Sequence, residues 1–289
     1  MQNSDVPTIV MTGATSGIGQ IASIELAKRG ARLVLTARNE AKAKATRAAI
    51  EAAAPGTQID FHFADLAKLD EVSQVAHTIA AQYKRIDVLI NNAGLHAFKQ
   101  RTTIDGYAEM IAVSYLAPWL FTDILREKLV ASTPSRVVTV ASEASRHSGP
   151  LNPKVDLFKT EPFSRIGSSR IYGQTKLMDI MFSMELARQL DRTGVAVNCL
   201  DPGFNVTGLG RELSFAAPLE RILSWLKIGN PRRGAGIIVR LATDPAFTTV
   251  SGGYFSFNMA KPLTPVAPAD DSRARMDLWK ITAQTLVNG

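Results

Sequence analysis

Short runs of β-branched and apolar residues alternate along the chain with longer segments whose apolar positions recur at helical spacing. The first kind reads as strand and the second as amphipathic helix, and their alternation is the pattern of a parallel sheet covered by helices on both faces. Strands are predicted at "TIVMT", "RLVLTA", "QIDFHF", "IDVLI", "RVVTV", "VAVNCL" and "GYFSF", with helices opening near Gly17, Glu40, Leu69, Ile104, Ser169 and Arg232. No Pro- or Gly-rich linker divides the alternation, so a single α/β domain spanning residues 1–289 is expected. Two stretches break the rhythm. Residues 145–168 carry three prolines and no clear period, and residues 204–230 contain Leu219, Ile222, Leu223 and Leu226 at helical spacing. Both follow strand ends, where open parallel sheets bind ligands.

Between the first strand and the first helix stands "TGATSGIGQ", with Gly13, Gly17 and Gly19. A backbone that must turn sharply and approach a pyrophosphate needs glycine, and the helix that follows offers free amides and a dipole to hold the charge. Without a ligand the same residues would be a tight strand-to-helix turn. The second strand ends in Ala37 and Arg38, with no carboxylate before Glu40. An acid there would bind the ribose 2′-hydroxyl of NAD, whereas an arginine can pair with a 2′-phosphate, so NADP(H) is the expected cofactor and Arg38 its principal contact.

Further along, "YGQTK" sets Tyr172 one helical turn before Lys176. A phenol is a poor acid in neutral water, but an ammonium on the same helix face can lower its pKa towards neutrality and make it a usable proton donor. That spacing also arises by chance on amphipathic helices.

Composition narrows the classes. The net charge of +7 comes from scattered basic residues with no interleaved aromatic stripe, which argues against a nucleic-acid surface and is compatible with attraction to a phosphorylated small molecule. Cys199 is the only cysteine, which excludes an internal disulfide, and its apolar setting reads as a core thiol. Residues 1–7 lack the pattern of a secretory signal, and apolar segments are broken before membrane-spanning length, so a cytosolic protein with no membrane partner is expected. His96 and His147 could lie near a pocket, but their separation offers no metal-ligand spacing, and no metal is assigned.

"TGATSGIG", "NNAG" at residues 91–94, the Tyr172/Lys176 pair and "DPGFNVT" occur in the order found in the short-chain dehydrogenases/reductases, and the chain resembles that family over nearly all its length. The stretches "YGQTKLMDIMFSMELARQL" and "RARMDLWKITAQTL" look most like the branch of retinol dehydrogenase-like enzymes and related carbonyl reductases. The resemblance implies a Rossmann-type doubly wound sheet of about seven strands and an NADP(H)-dependent oxidoreductase acting on a small-molecule carbonyl or alcohol, an apolar aldehyde, ketone or 3-oxoacyl compound. It implies cofactor contacts from Gly13, Thr15, Ser16, Gly17, Ile18 and Gly19, from Asp65 and Leu66 beside the adenine, and from Asn91, Ala93 and Gly94 beside the ribose. It adds Pro202, Gly203 and Thr207 near the nicotinamide, with Tyr172 and Lys176 contacting the nicotinamide ribose. Bland readings stand beside these, with Asp65 as a helix cap, "NNAG" as a turn and Thr207 as a loop hydroxyl.

At the catalytic end the resemblance makes Ser142, rather than its neighbour Ser145, the second hydrogen-bond donor to the substrate oxygen beside Tyr172. One position departs from the family. Ser114 stands where an asparagine usually supports a proton relay to the lysine, which motivates an alternative, a catalytically weak NADP(H)-binding sensor. Pro118, four residues later, cannot close an α-helical bond to the Ser114 carbonyl, so the backbone oxygen could still hold a relay water. Phe204, Leu213, Phe215, Leu219, Leu223 and Trp225 could line an apolar pocket or form the inward face of a helix. A homodimer or homotetramer is expected from the resemblance; Trp119, Phe121, Met178, Met181 and Phe182 would suit its interface, and equally packing within the chain.

Overall fold

The computed structural model describes residues 6–203 and 230–287. Seven strands form one parallel sheet in the order β3-β2-β1-β4-β5-β6-β7. They are β1 (Thr8–Met11), β2 (Arg32–Ala37), β3 (Ile59–Phe63), β4 (Val88–Asn91), β5 (Ser135–Val140), β6 (Val195–Asp201) and β7 (Tyr254–Ser256). The chain winds outwards from β1 to β3 and then crosses back to β4, so the order reverses between β1 and β4. A crevice opens at such a reversal, beyond the carboxyl ends of the strands.

Central strands are buried from both sides, which explains why they read as nearly continuous apolar runs. Successive side chains serve opposite cores. Val10 joins a core shared with α3 (Leu69–Gln82), α5 (Ala117–Ala131) and α7 (Arg165–Gln189), while Ile9 and Met11 join one shared with α1 (Gly17–Lys28), α2 (Glu40–Ala53) and α8 (Pro231–Thr243).

Three segments differ from the sequence expectation. The helix expected near Ile104 opens instead as a short α4 (Glu109–Ile111), because residues 103–107 are folded into a turn closed by hydrogen bonds between Thr103 and Tyr107. Asp105 on that turn accepts from the Leu69 amide and so closes the open N-terminus of α3. The long loop after β5 contains a 3₁₀ turn (Glu143–His147) and α6 (Pro153–Asp156), and α7 starts at Arg165, capped by Ser164 Oγ accepting from Gly167 N. A C-terminal helix, α9 (Ser272–Val287), packs on α7 and was not among the predicted elements. Its Trp279 stacks on Phe182 at 5.8 Å and lies 5.0 Å from Trp119.

That packing decides between the two readings of the apolar set. Trp119, Phe121, Met178, Met181 and Phe182 are buried within the chain, between sheet and helices, and offer no interface to a second copy. Cys199 is likewise fully buried, as its apolar setting implied.

Candidate functional site

The glycine turn sits at the crevice. Gly13 and Gly17 have positive φ, a backbone conformation that side-chain-bearing residues rarely adopt. At Gly19 the reason for glycine is space: a Cβ would lie 2.2 Å from the Gly13 carbonyl oxygen and 2.5 Å from Asn92 Nδ2. Asn92 holds the turn in place. Its amide donates to Thr12 O at 3.1 Å and Gly13 O at 3.0 Å, while the backbone amides of Asn92 and Ala93 donate to Thr12 Oγ1. "NNAG" is thus a clamp joining the turns after β1 and β4, a role the sequence reading did not assign to Asn92. Asn91 is turned away: its side chain is buried and donates to Thr122 Oγ1 of α5 at 2.8 Å.

Ser16 is the residue before α1, whose first turn carries no acidic side chain that would repel an anion. Thr15, Ser16 and Ile18 are all partly accessible on this turn. At the end of β2, Arg38 keeps 70% of its side chain exposed and stands 3.6 Å from Asp65 Oδ1, so these two candidates are neighbours. Asp65 also orders its own turn, accepting from the Ala67 amide, and Leu66 packs on the core beneath. The glycine-lined turn and the helix start without acid fit the pyrophosphate of a dinucleotide.

The candidate proton-transfer residues gather at the ends of β5 and β6. Lys176 reaches the Val140 carbonyl at 3.0 Å, two residues before Ser142. Gly173 lies against the chain two residues after it, where a Cβ would be 2.6 Å from Ala144 O. The glycine inside "YGQTK" therefore lets α7, which carries Tyr172 and Lys176, seat directly against the Ser142 turn. An isolated glycine within a helical pattern was the signal available for this. Ser142 Oγ accepts from Ala144 N and stays partly accessible, its hydroxyl proton free to be donated; Ser145 is buried. Asp201, at the end of β6, is buried and accepts from the Glu143 amide, fixing the same turn from the other side.

His96 lies flat against Tyr172, ring centroids 4.7 Å apart at 17°, and its Nε2 is 2.9 Å from Ser168 Oγ. Ser168 donates to Ala97 O, which leaves its oxygen to accept from His96. His147 is exposed. Pro202 and Gly203 follow β6, Gly203 with positive φ and packed on Phe257; Thr207 and the apolar set from Phe204 to Trp225 lie outside the described residues.

Two sequence expectations change. The lysine is expected to lower the Tyr172 phenol towards neutrality, yet the net shift is upward from the ordinary 10.0: burial is the largest cause, Lys176 opposes it, and Asp179 and Asp201 add to it. The second concerns Pro118. Residues Ala112–Leu116 form a π-helical turn, and the Ala117 amide donates to Ala112 O, five residues back. At that spacing the N–H missing from Pro118 would have served Val113, not Ser114. Ser114 Oγ is itself engaged, accepting from the Leu95 amide at 3.0 Å. A Cβ on Gly94 would stand 3.4 Å from Lys176 Nζ and 4.0 Å from Ser114 Oγ, so Gly94 keeps these two groups within reach of one small space.

A doubly wound sheet with a clamped glycine turn at its reversal point defines a dinucleotide-binding α/β protein. A family model described as short chain dehydrogenase matches residues 7–154. Retinol dehydrogenase 14 of Mus musculus is 35% identical over 95% of this chain and 84% of its own length. Among solved structures, an uncharacterized protein from Mycobacterium paratuberculosis superposes with a TM-score of 0.75 at 25% identity, over 98% of this chain and 96% of its own. A Beutenbergia cavernae protein described as an NAD(P)-dependent gluconate 5-dehydrogenase, with bound NADP, gives a TM-score of 0.67 at 27% identity, over 87% of this chain and 94% of its own. The chain belongs to the short-chain dehydrogenase/reductase family of oxidoreductases, close to the retinol dehydrogenases.

Proposed function

We propose that the protein is an NADP(H)-dependent reductase of apolar aldehydes or ketones, working in reverse as an alcohol dehydrogenase, with Tyr172 as general acid. The observation that supports this reading is the seating of α7, which carries Tyr172 and Lys176, on the Ser142 turn through Gly173, with Lys176 Nζ 3.0 Å from Val140 O. NADPH, when bound, supplies the hydride that the carbonyl carbon receives. Ser142 and Tyr172 hydrogen-bond the carbonyl oxygen and orient it; as negative charge develops there, the Tyr172 O–H bond breaks and its proton passes to the oxygen, leaving a phenolate near Lys176. A phenol whose pKa is shifted upward is in the acid form that this direction requires. The similarity to retinol dehydrogenase 14 favours long, apolar substrates of the retinal type.

Loss of NADPH absorbance against retinal, shorter apolar aldehydes, ketones and 3-oxoacyl compounds tests the proposal. Turnover that disappears in Tyr172→Phe supports it; tight NADPH binding with no turnover of any of these would favour a sensor. For the cofactor, Arg38→Ala is expected to weaken NADPH by about 30-fold, the equivalent of one charge-assisted phosphate contact of about 2 kcal/mol, while NADH is nearly unaffected. Equal weakening of both cofactors in a binding titration would remove Arg38 from the 2′-phosphate.

A further inference from the structure

Lys176 carries a buried partner that the family's motifs do not mention. Tyr172, Lys176 and Asp179 lie on one face of α7, at positions i, i+4 and i+7. Lys176 and Asp179 are each no more than 3% exposed, and the ammonium donates to Asp179 Oδ2 at 2.8 Å and to Val140 O at 3.0 Å. An ammonium has three donors, so two of them are committed to the protein. Asp179 Oδ1 is buried without a hydrogen-bond partner. Such a group is costly to bury, and an asparagine or an apolar residue would fill the site without that charge.

The electrostatics say what the charge does. Lys176 acts to lower the pKa of Tyr172, and Asp179 acts in the opposite sense. Asp201 of β6 also raises the phenol, and His96 lies against its ring. Cys199 of β6 and Tyr115 of the π turn, whose hydroxyl shares a hydrogen bond with Thr282 of α9, feel the charge of Asp179, and Glu143 of the 3₁₀ turn donates its amide to Asp201. Burial pushes the Asp179 carboxyl up to about 6, and the Lys176 ammonium, donating to Oδ2 at 2.8 Å, opposes the rise and favours the carboxylate. Burial acts to lower the Lys176 ammonium, but Asp179 and Tyr172 together hold it above its ordinary value, so it is charged.

We propose that Asp179 is a positioning residue that sets the acidity of Tyr172: it offsets the Lys176 charge and holds the ammonium towards Val140, which keeps the phenol protonated. The equilibrium of the reaction is untouched. What changes is the pH at which each direction finds its working form, since reduction needs the phenol and alcohol oxidation needs the phenolate. Asp179 thereby disposes the site to reduction at neutral pH, an inference that rests on the role proposed for Tyr172.

Asp179→Asn removes the charge while keeping the shape and an oxygen for Lys176. In protein labelled with ¹³Cζ-tyrosine, with the Tyr172 signal assigned by its loss in Tyr172→Phe, the titration midpoint is expected to fall by about one pH unit or more in Asp179→Asn. The pH of half-maximal alcohol oxidation should fall by the same amount. A smaller polar replacement, Asp179→Ser, should reproduce the shift and keeps the test open if the asparagine variant misfolds. If wild type and the folded variant titrate together, the inference is overturned, even where activity depends on Tyr172. A lowered midpoint in a protein whose turnover does not depend on Tyr172 would leave the inference standing and sink the functional reading alone.

Discussion

Replacing Tyr172 by Phe is expected to lower carbonyl reduction by about a thousandfold, the middle of the range for loss of a general acid, while NADPH binding and the melting temperature stay close to wild type. Only one oxygen is removed, and the ring keeps its contact with His96 at 4.7 Å. Lys176 retains both of its protein partners. The loss should therefore fall on kcat and kcat/KM together, since the missing hydrogen bond belongs to the transition state. The pH profile gives a second reading. A group whose pKa is raised holds its proton over a wider range, so reductive kcat/KM should show no loss attributable to Tyr172 until the pH passes the ordinary phenol value of 10.0. Steady-state rates followed by NADPH absorbance measure both effects. A Tyr172→Phe variant retaining a tenth of wild-type activity would exclude the phenol as the acid.

Gly19→Ala is expected to weaken dinucleotide binding by at least about 100-fold, or about 3 kcal/mol, and to lower the melting temperature by several degrees. The added methyl would meet Gly13 O at 2.2 Å and Asn92 Nδ2 at 2.5 Å. Neither is the loose end of a flexible side chain: one is backbone, and the other is held by hydrogen bonds to Thr12 O and Gly13 O. Relief requires the glycine turn and the turn after β4 to separate, which breaks those bonds and moves the helix-start amides away from where a pyrophosphate must sit. Gly236→Ala supplies the control, because that glycine lies within α8 and a Cβ there meets nothing within 4 Å. It should leave binding unchanged and raise stability by up to about 1 kcal/mol through helix propensity. Calorimetric titration with NADPH and thermal melts of both variants decide the matter; near-wild-type binding by Gly19→Ala would refute the close-packed turn.

Much of the framework was legible because its signals are local. Strand runs, the glycine turn and the Tyr172-to-Lys176 spacing are written within a few residues, and backbone geometry alone turns them into a crevice and a shared helix face. The opening of α4 was misjudged for the opposite reason: the turn before it is held by Thr103 and ends in Asp105 bonding to Leu69, far back in the chain. The π turn Ala112–Leu116 just before Pro118 was likewise illegible, because a five-residue spacing of backbone bonds leaves no mark on the pattern of side chains. Asn91 and Asn92 are adjacent and chemically identical, and only their distant partners, Thr122 in one case and Thr12 and Gly13 in the other, distinguish them.

The sequence by itself determined a parallel α/β sheet, a glycine turn suited to a pyrophosphate, an arginine at the end of β2 and a tyrosine and lysine one turn apart, since each follows from near-neighbour stereochemistry. Tertiary structure alone decided that Ser142 stays accessible while Ser145 is buried, that Gly173 seats α7 on the Ser142 turn, that Trp279 covers Trp119 and Phe182, and that Lys176 is held between Asp179 and Val140. Those facts depend on which surfaces meet and on how far water is excluded between them. Burial and partner charge set the state of an ionisable group, and neither is carried by its position along the chain.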